Sequence, residues 1–467
     1  MRQSTTAESR RMERRYLRWR LMPPESSTDL VGKRTRSKIA RKVLPFLCLL
    51  YLAAYLDRAN VAFAKLTMTA DLHFSEAVYG FGAGIFFIGY LFLEIPGALI
   101  VERWGARRWF ARILVTWGLC TIVVGFVKTP LQFYGARFLL GVAEAGFYPG
   151  IIVYLTQWFA RGDRARAMAG FIVAIPVSLV LGAPISALIL KLHWMGLPGW
   201  RWVFILEGLP AIALGIVTFF YLTDRPRDAM WLEPEERAWI TQELEREKAE
   251  KHAAGRTRIW AALRDRSVLL CALSICLANL GGYVFVFWLP STIHNAAGFS
   301  PVLSALYSAL PLAVAVGFVL WSGRAADRSN RPKMQTSAFM VLAGLFLSLS
   351  VVPGQSFPMI MLWLCLTAGC IYAWPPPFWV LPTLVLGGPA EAASIGLINM
   401  MAGMGGFLGP SIVGYLLSAG YSNRTALAIL SSCYLAAALA ILGVKVPSQR
   451  GAERSPILSP IAGDNSQ

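Results

Sequence analysis

Twelve apolar blocks, each long enough to cross a bilayer and each fenced by charge, glycine or proline, recur along the 467-residue chain. A helix needs about 20 apolar residues to traverse the hydrocarbon, whereas a single soluble core stops growing near ~250–300 residues. The blocks predict helices over 43–66, 79–101, 109–127, 131–155, 166–190 and 202–222. Six more follow over 268–292, 301–321, 335–352, 358–386, 394–418 and 425–446. Hydrophobic residues make up 56% of the chain and charged ones 15%, against about 45–50% and about 25% in soluble domains. A soluble enzyme is excluded. The expected class is an all-α integral membrane protein.

The charges that remain are clustered. Of the net charge of +18, much comes from the first 42 residues, which hold Arg10, Arg11, Arg14, Arg15, Arg18 and Arg20 among others. Such a segment leading straight into an apolar span fits a cytoplasmic tail; nucleic acid would want a folded module with stacking aromatics, so no nucleic-acid partner is expected. The organisation that follows is a basic tail (1–42), a six-helix half (43–222), a charged linker (223–267), a second six-helix half (268–446) and a short tail (447–467). Within the linker, Glu233–Glu250 reads as an amphipathic surface helix. Alternate loops carry Arg103, Arg107, Arg108 and Arg112, then Arg161, Arg164 and Arg166, then Arg324, Arg328, Arg331 and Lys333. The opposite loops carry only Lys128, Lys191, Arg201 and Arg424, which places both termini in the cytoplasm. The seven cysteines form no Cys-x-x-Cys pair and the four histidines are scattered, so neither a metal site nor a cofactor is expected. No small-residue cleavage site follows the first block, which is expected to stay as a span rather than leave as a signal peptide.

Two loops repeat a pattern. Glu102-Arg103-Trp104-Gly105-Ala106-Arg107-Arg108 follows the second span, and Asp327-Arg328-Ser329-Asn330-Arg331-Pro332-Lys333 follows the eighth. Gly105 and Asn330 suit a turn with positive φ. Glu102, Arg103, Arg107, Asp327 and Arg328 are expected to latch the cytoplasmic side across a helix seam. Inside the spans, each ionisable residue costs on the order of 2.5–3.5 kcal/mol and marks function by default. The first half holds Asp57, Arg58, Glu94, Arg137, Glu144 and Glu207, while the second half's spans hold almost none. At ~1.5 Å rise per residue, Asp57 and Arg58 fall between Arg137 and Glu144 in height, so these four can form one central cluster. An arginine fork matches a carboxylate, and an acid that loses its arginine gains affinity for a proton. Glu94 and Glu207, nearer the ends, are expected to serve packing or interface roles. Gly80-x-Gly82-x-Gly84 and Gly403-x-Gly405-Gly406-x-x-Gly409 lie inside spans and read as close helix packing, not nucleotide loops.

The duplicated loop and two six-helix halves resemble the major facilitator superfamily, although Glu102 stands where that motif has Asp and Ala98 where it has Gly. Tyr55-Leu56-Asp57-Arg58-Ala59-Asn60, Glu94-Ile95-Pro96-Gly97, the run from Arg137 to Gly150, Glu207-Gly208-Leu209-Pro210, Phe378-Trp379-Val380-Leu381-Pro382-Thr383 and the stretch from Gly396 to Pro410 are similar to its anion:cation symporter family. The resemblance implies twelve transmembrane helices and alternating access. It further implies a monomeric cell-membrane protein, not an enzyme, that takes up a small organic carboxylate with protons. A uniporter or exchanger is the alternative. On the same basis Arg58 would hold the substrate, with Tyr55, Tyr90, Trp379 and Asn399 lining its cavity; Asp57 and Glu144 would carry the proton, partnered by Arg137. Ala174-Ile175-Pro176-Val177 lacks the polar group of galactonate-type members, which favours a smaller or more aromatic acid.

Overall fold

The computed structural model describes residues 27–160, 163–164, 167–168, 171, 174–253, 263–328, 331–385 and 389–445. The first half comprises α1 (Ser27–Asp71), α2 (Glu76–Trp104), α3 (Ala106–Val124), α4 (Pro130–Glu144 and Phe147–Trp158), α5 (Ala174–Ile189) and α6 (Gly199–Tyr221). The second comprises α7 (Arg266–Ala297), α8 (Pro301–Tyr307 and Ala309–Arg328), α9 (Pro332–Leu349), α10 (Phe357–Ala373 and Pro375–Val385), α11 (Pro389–Ser418) and α12 (Asn423–Gly443). Among the described residues, nine of these are long and apolar enough, by length and composition, to cross a membrane. Local chemistry sets the ends: Ser75, Thr129, Ser300 and Ser422 each accept a backbone N–H of the first turn that follows.

Helix pairing repeats with a shift of six. α3 packs on α6 as α9 does on α12, α2 on α4 as α8 on α10, and α1 on α5 as α7 on α11. The two halves meet through α2 with α11, α5 with α8, and α1 with α7, a set that maps onto itself under the same shift. The bundle is therefore two copies of one six-helix unit facing each other across a seam.

Several elements differ from the sequence expectation, α8 among them with a break at Ser308. α1 begins at Ser27, inside the stretch read as a tail. α4 is broken at Ala145 and Gly146, the latter at φ +81°, and α10 is broken at Trp374. A left-handed residue ends a helix cheaply only when it is glycine, so Gly146 stops the first segment although the apolar pattern runs on.

The end of the bundle carrying the linker is here the linker face; the opposite end is the far face, and there the halves are tied together. Tyr79 Oη donates to the Phe287 carbonyl (3.2 Å), Trp288 Nε1 to Glu76 Oε2 (3.1 Å), and the Ala77 amide to Ser418 Oγ (2.7 Å). Lys65, 3% exposed, pairs with Glu76 at 2.8 Å and lies 4.4 Å from the Trp288 ring. Close approach of α2 and α11 requires Gly80: a Cβ there would stand 2.2 Å from the Pro410 carbonyl oxygen. Gly80→Ala should consequently cost about 1–3 kcal/mol of stability. Gly135→Ala, where nothing lies within 4 Å, should instead gain about 0.5–1 kcal/mol from helix entropy. Thermal unfolding in detergent checks the opposite signs.

On the linker face, the helix Pro234–Ala253 docks against the start of α1. Lys38 Nζ bonds Glu236 Oε2 at 2.9 Å and Arg34 Nε approaches its other oxygen at 3.1 Å. Arg36 stacks over Trp239 at 5.1 Å and reaches Asp163 at 3.2 Å, while Arg164 pairs with Glu247 at 2.8 Å. Burial opposes the Glu236 charge, but hydrogen bonds from Lys38 and the Glu233 amide and the charges of Lys38 and Arg34 outweigh it, so the carboxyl stays below the ordinary 4.5. A depressed native value stabilises the docked helix fully above the unfolded value and loses that contribution as pH falls through the native one. Hydrogen exchange of 234–247, corrected for its intrinsic pH dependence and followed from about pH 6 to about pH 3, should show protection lost toward acid. Glu236→Gln should remove that pH step.

Candidate substrate site in the bundle core

Successive residues of a helix point about 100° apart, so Asp57 and Arg58 of α1 cannot face the same neighbours. Asp57, 1% exposed, turns toward α3 and accepts from Trp117 Nε1 (2.7 Å), Thr121 Oγ1 (2.9 Å) and Asn60 Nδ2 (2.8 Å). Arg58 turns to the centre and pairs with Glu144 of α4. Around its guanidinium stand the rings of Tyr55 (4.9 Å), Phe86 (5.3 Å) and Tyr90 (5.5 Å), and Tyr283 of α7 faces it from the other half. Glu144 is the last residue of the first α4 segment. Carbonyls at a helix C-terminus carry partial negative charge, which adds to the need for a cation there. Gly97 of α2 crosses the break so closely that a Cβ on it would meet Gly146 Cα at 2.5 Å.

Arg137 does not join this pair. It is fully buried, its Nε and Nη2 lie 3.4 and 3.5 Å from the Gly82 and Ala83 carbonyl oxygens of α2, and it sits 5.1 Å from the Phe86 ring. Among the described residues it forms no ion pair. It faces the acids' charges at a distance rather than in a contact pair: Gly82 and Ala83 have too little side chain to screen their carbonyls, and the guanidinium turns to those. The four charges thus resolve into one ion pair, one acid held by neutral donors and one arginine held against backbone.

Of the remaining expected lining residues, Asn399 of α11 donates its amide to Glu94 of α2. Trp379 lies half-buried in the second α10 segment, its ring 5.5 Å from Phe378. Glu207 accepts from Ser186 Oγ at 2.6 Å, tying α6 to α5 within one half. The expected latch is only partly visible. The side chains of Glu102, Asp327 and Arg328, and all of Asn330, lie outside the described residues, and Arg103 is exposed. The Arg107 amide donates to Asp224 Oδ1 at 2.8 Å, and its guanidinium bonds the Phe219 carbonyl. Gly105, at φ +85°, makes the turn beside Asp224. The first loop is anchored by its own half, through an acid that follows α6. Sequence reading missed Asp224, Tyr283 and the Lys65–Glu76–Trp288 cluster; a lysine near a span's end reads as a side chain reaching the interface.

Arg58 uses one Nη on Glu144, and its Nε has no hydrogen-bond partner among the described residues, nor has Glu144 Oε2. A planar guanidinium with donors to spare, caged by aromatics at the seam between two units, has the geometry to match a carboxylate. The pattern of the Major Facilitator Superfamily matches residues 47–410. The chain belongs to that superfamily. Its members are transporters, not enzymes. A putative tartrate transporter of Agrobacterium vitis is 42% identical over 385 residues, covering 82% of this chain and 88% of that one. A quinolone resistance transporter of Acinetobacter baumannii is 38% identical, covering 80% and 86%. The inward-open structure of the xylose transporter XylE from E. coli superposes with a TM-score of 0.69 at 16% identity, covering 88% and 97%, a likeness of fold.

Whatever else it does, Asp57 ties α1 to α3 through its bonds from Trp117 and Thr121. Asp57→Ala should strand the Trp117 and Thr121 donors and lower unfolding stability by about 1–3 kcal/mol. Asp57→Asn, which keeps one acceptor oxygen, should cost distinctly less in the same denaturation measurement.

Proposed function

We propose that this superfamily member is a monomeric, proton-coupled symporter that takes up a small organic carboxylate by alternating access. The observation that carries the reading is the Arg58–Glu144 pair inside its aromatic cage. A substrate carboxylate competes with Glu144 for the Arg58 fork. Glu144, left in an apolar interior without its counter-charge, binds a proton. Anion and proton then cross together, because neither can be accommodated alone without an unpaired buried charge. The relative named for tartrate supports a hydroxylated carboxylate as cargo. The arginine-rich loops support a cytoplasmic linker face with both termini inside a cell membrane. With the far face tied shut, the site is approached from the cytoplasm in this state. Asp57, Arg137, Tyr55, Tyr90, Trp379 and Asn399 complete the proposed binding and coupling set, and Glu102, Arg103, Arg107, Asp327 and Arg328 the proposed cytoplasmic gate.

The test is uptake of labelled tartrate and a panel of aromatic and aliphatic acids into proteoliposomes, with and without an inward proton gradient. Accumulation should require the gradient. Glu144→Gln should retain exchange of the acid but lose accumulation. Full accumulation by that variant would remove Glu144 from the coupling, and movement without accumulation in the unaltered protein would make it a uniporter.

A further inference from the structure

One hydrogen bond between the halves joins α2 to α11 beside the Arg58 cage. Glu94 of α2, 9% exposed, accepts from the Asn399 amide of α11. Glu94 follows Tyr90 by four residues, so it lies on the same face of α2 one turn along, about 6 Å of helix rise from the residue whose ring faces Arg58. It is also within electrostatic reach of Arg58 and Tyr148. It has no ion-pair partner among the described residues. Burying a carboxylate merely to tie two helices is a costly choice, since a glutamine would bond the same amide. What an ionised carboxylate adds is chemistry: it accepts hydrogen bonds and donates none. It therefore takes a hydroxyl and turns away a bare carbonyl or a carbon–hydrogen group.

We propose that Glu94 is the specificity residue for hydroxylated acids. With the substrate carboxylate on Arg58, Glu94 accepts a substrate O–H one short carbon chain away, and the Asn399 amide, released from Glu94, donates to a substrate oxygen. This assignment rests on the carboxylate reading above. The site then selects for the hydroxyl: an analogue lacking it leaves Glu94 buried without a donor once Asn399 has moved.

The experiment compares matched pairs, tartrate with succinate and mandelate with phenylacetate, as competitors of labelled exchange and as ligands in detergent by equilibrium binding. The unaltered protein should prefer the hydroxy acid of at least one pair by about tenfold or more, the range expected for a hydrogen bond to a charged group. Glu94→Gln should lose that preference, mainly through weaker binding of the hydroxy acid, with the deoxy acid little changed. Asn399→Ala breaks the same inter-half tie but keeps Glu94, so it should weaken both acids while preserving their ratio. Equal losses for both acids in Glu94→Gln, or the same ratio shift in Asn399→Ala, would overturn the assignment and leave Glu94 as a tie between helices. Failure of every acid to bind or move through the unaltered protein would overturn the carboxylate reading as well, a pattern distinct from a mere change of ratio.

Discussion

A single ion pair, Arg58 with Glu144, sets the terms for the interior of this transporter. Neither charge is tolerable alone in a low-dielectric core, and removing one partner of such a pair costs about 3–5 kcal/mol. The surroundings are arranged around that demand. The break at Gly146 ends a helix segment so that Glu144 projects at its terminus, Gly97 lets α2 cross the break, and Tyr55, Phe86 and Tyr90 surround the guanidinium. The same demand makes the pair responsive. In the proposed mechanism Arg58 leaves Glu144 for another anion and Glu144 then takes a proton.

The repeated helix pairing supplies the mechanical counterpart. Because α2 with α11 and α5 with α8 are equivalent contacts in two copies of one unit, the halves can pivot on a seam without repacking either half. The charge is distributed unequally across that symmetry: the first half carries the buried charges, and the second brings Tyr283 and Asn399 to them.

Much of this was legible before any coordinates. Span length and loop charge give the twelve helices and the two units, the cost of buried charge singles out Arg58 and Glu144, and the glycines at 80 and 409 mark close contacts that the structure contains. What escaped was direction and local breakage. Asp57 and Arg58 share a height in the bundle, yet helical rotation sends one to α3 and the other to the core. Arg137 shares a periodicity with Glu144, yet bare carbonyls on α2 capture it. The α4 break was signalled by Gly146 and Pro149 but hidden by apolar residues on both sides. Glu94, expected in a packing or interface role, meets Asn399 across the halves, a partner that height along a span does not name.

The way charges are partitioned explains how a bundle so full of them can still move. Every ion pair among the described residues joins groups of the first half and its linker, Lys65 with Glu76 and Arg58 with Glu144 included. The far-face ties between halves are neutral donors on Tyr79, Trp288 and the Ala77 amide. Net contributions of such bonds run to about 0.5–1.5 kcal/mol, or somewhat more where the acceptor is charged as at Glu76. Opening the far face therefore breaks several modest bonds and strands no charge, since Lys65 keeps Glu76 as its half moves. The Glu94–Asn399 contact is likewise a neutral donor of one half on a carboxylate of the other, but Glu94, unlike Glu76, has no ion-pair partner among the described residues and stands one helical turn from the Arg58 cage. A rocking motion that separates α2 from α11 at that level must leave Glu94 in need of a replacement donor, and a substrate hydroxyl seated there would supply it. On that reasoning the seam is loose where it only seals, and conditional on cargo where it binds.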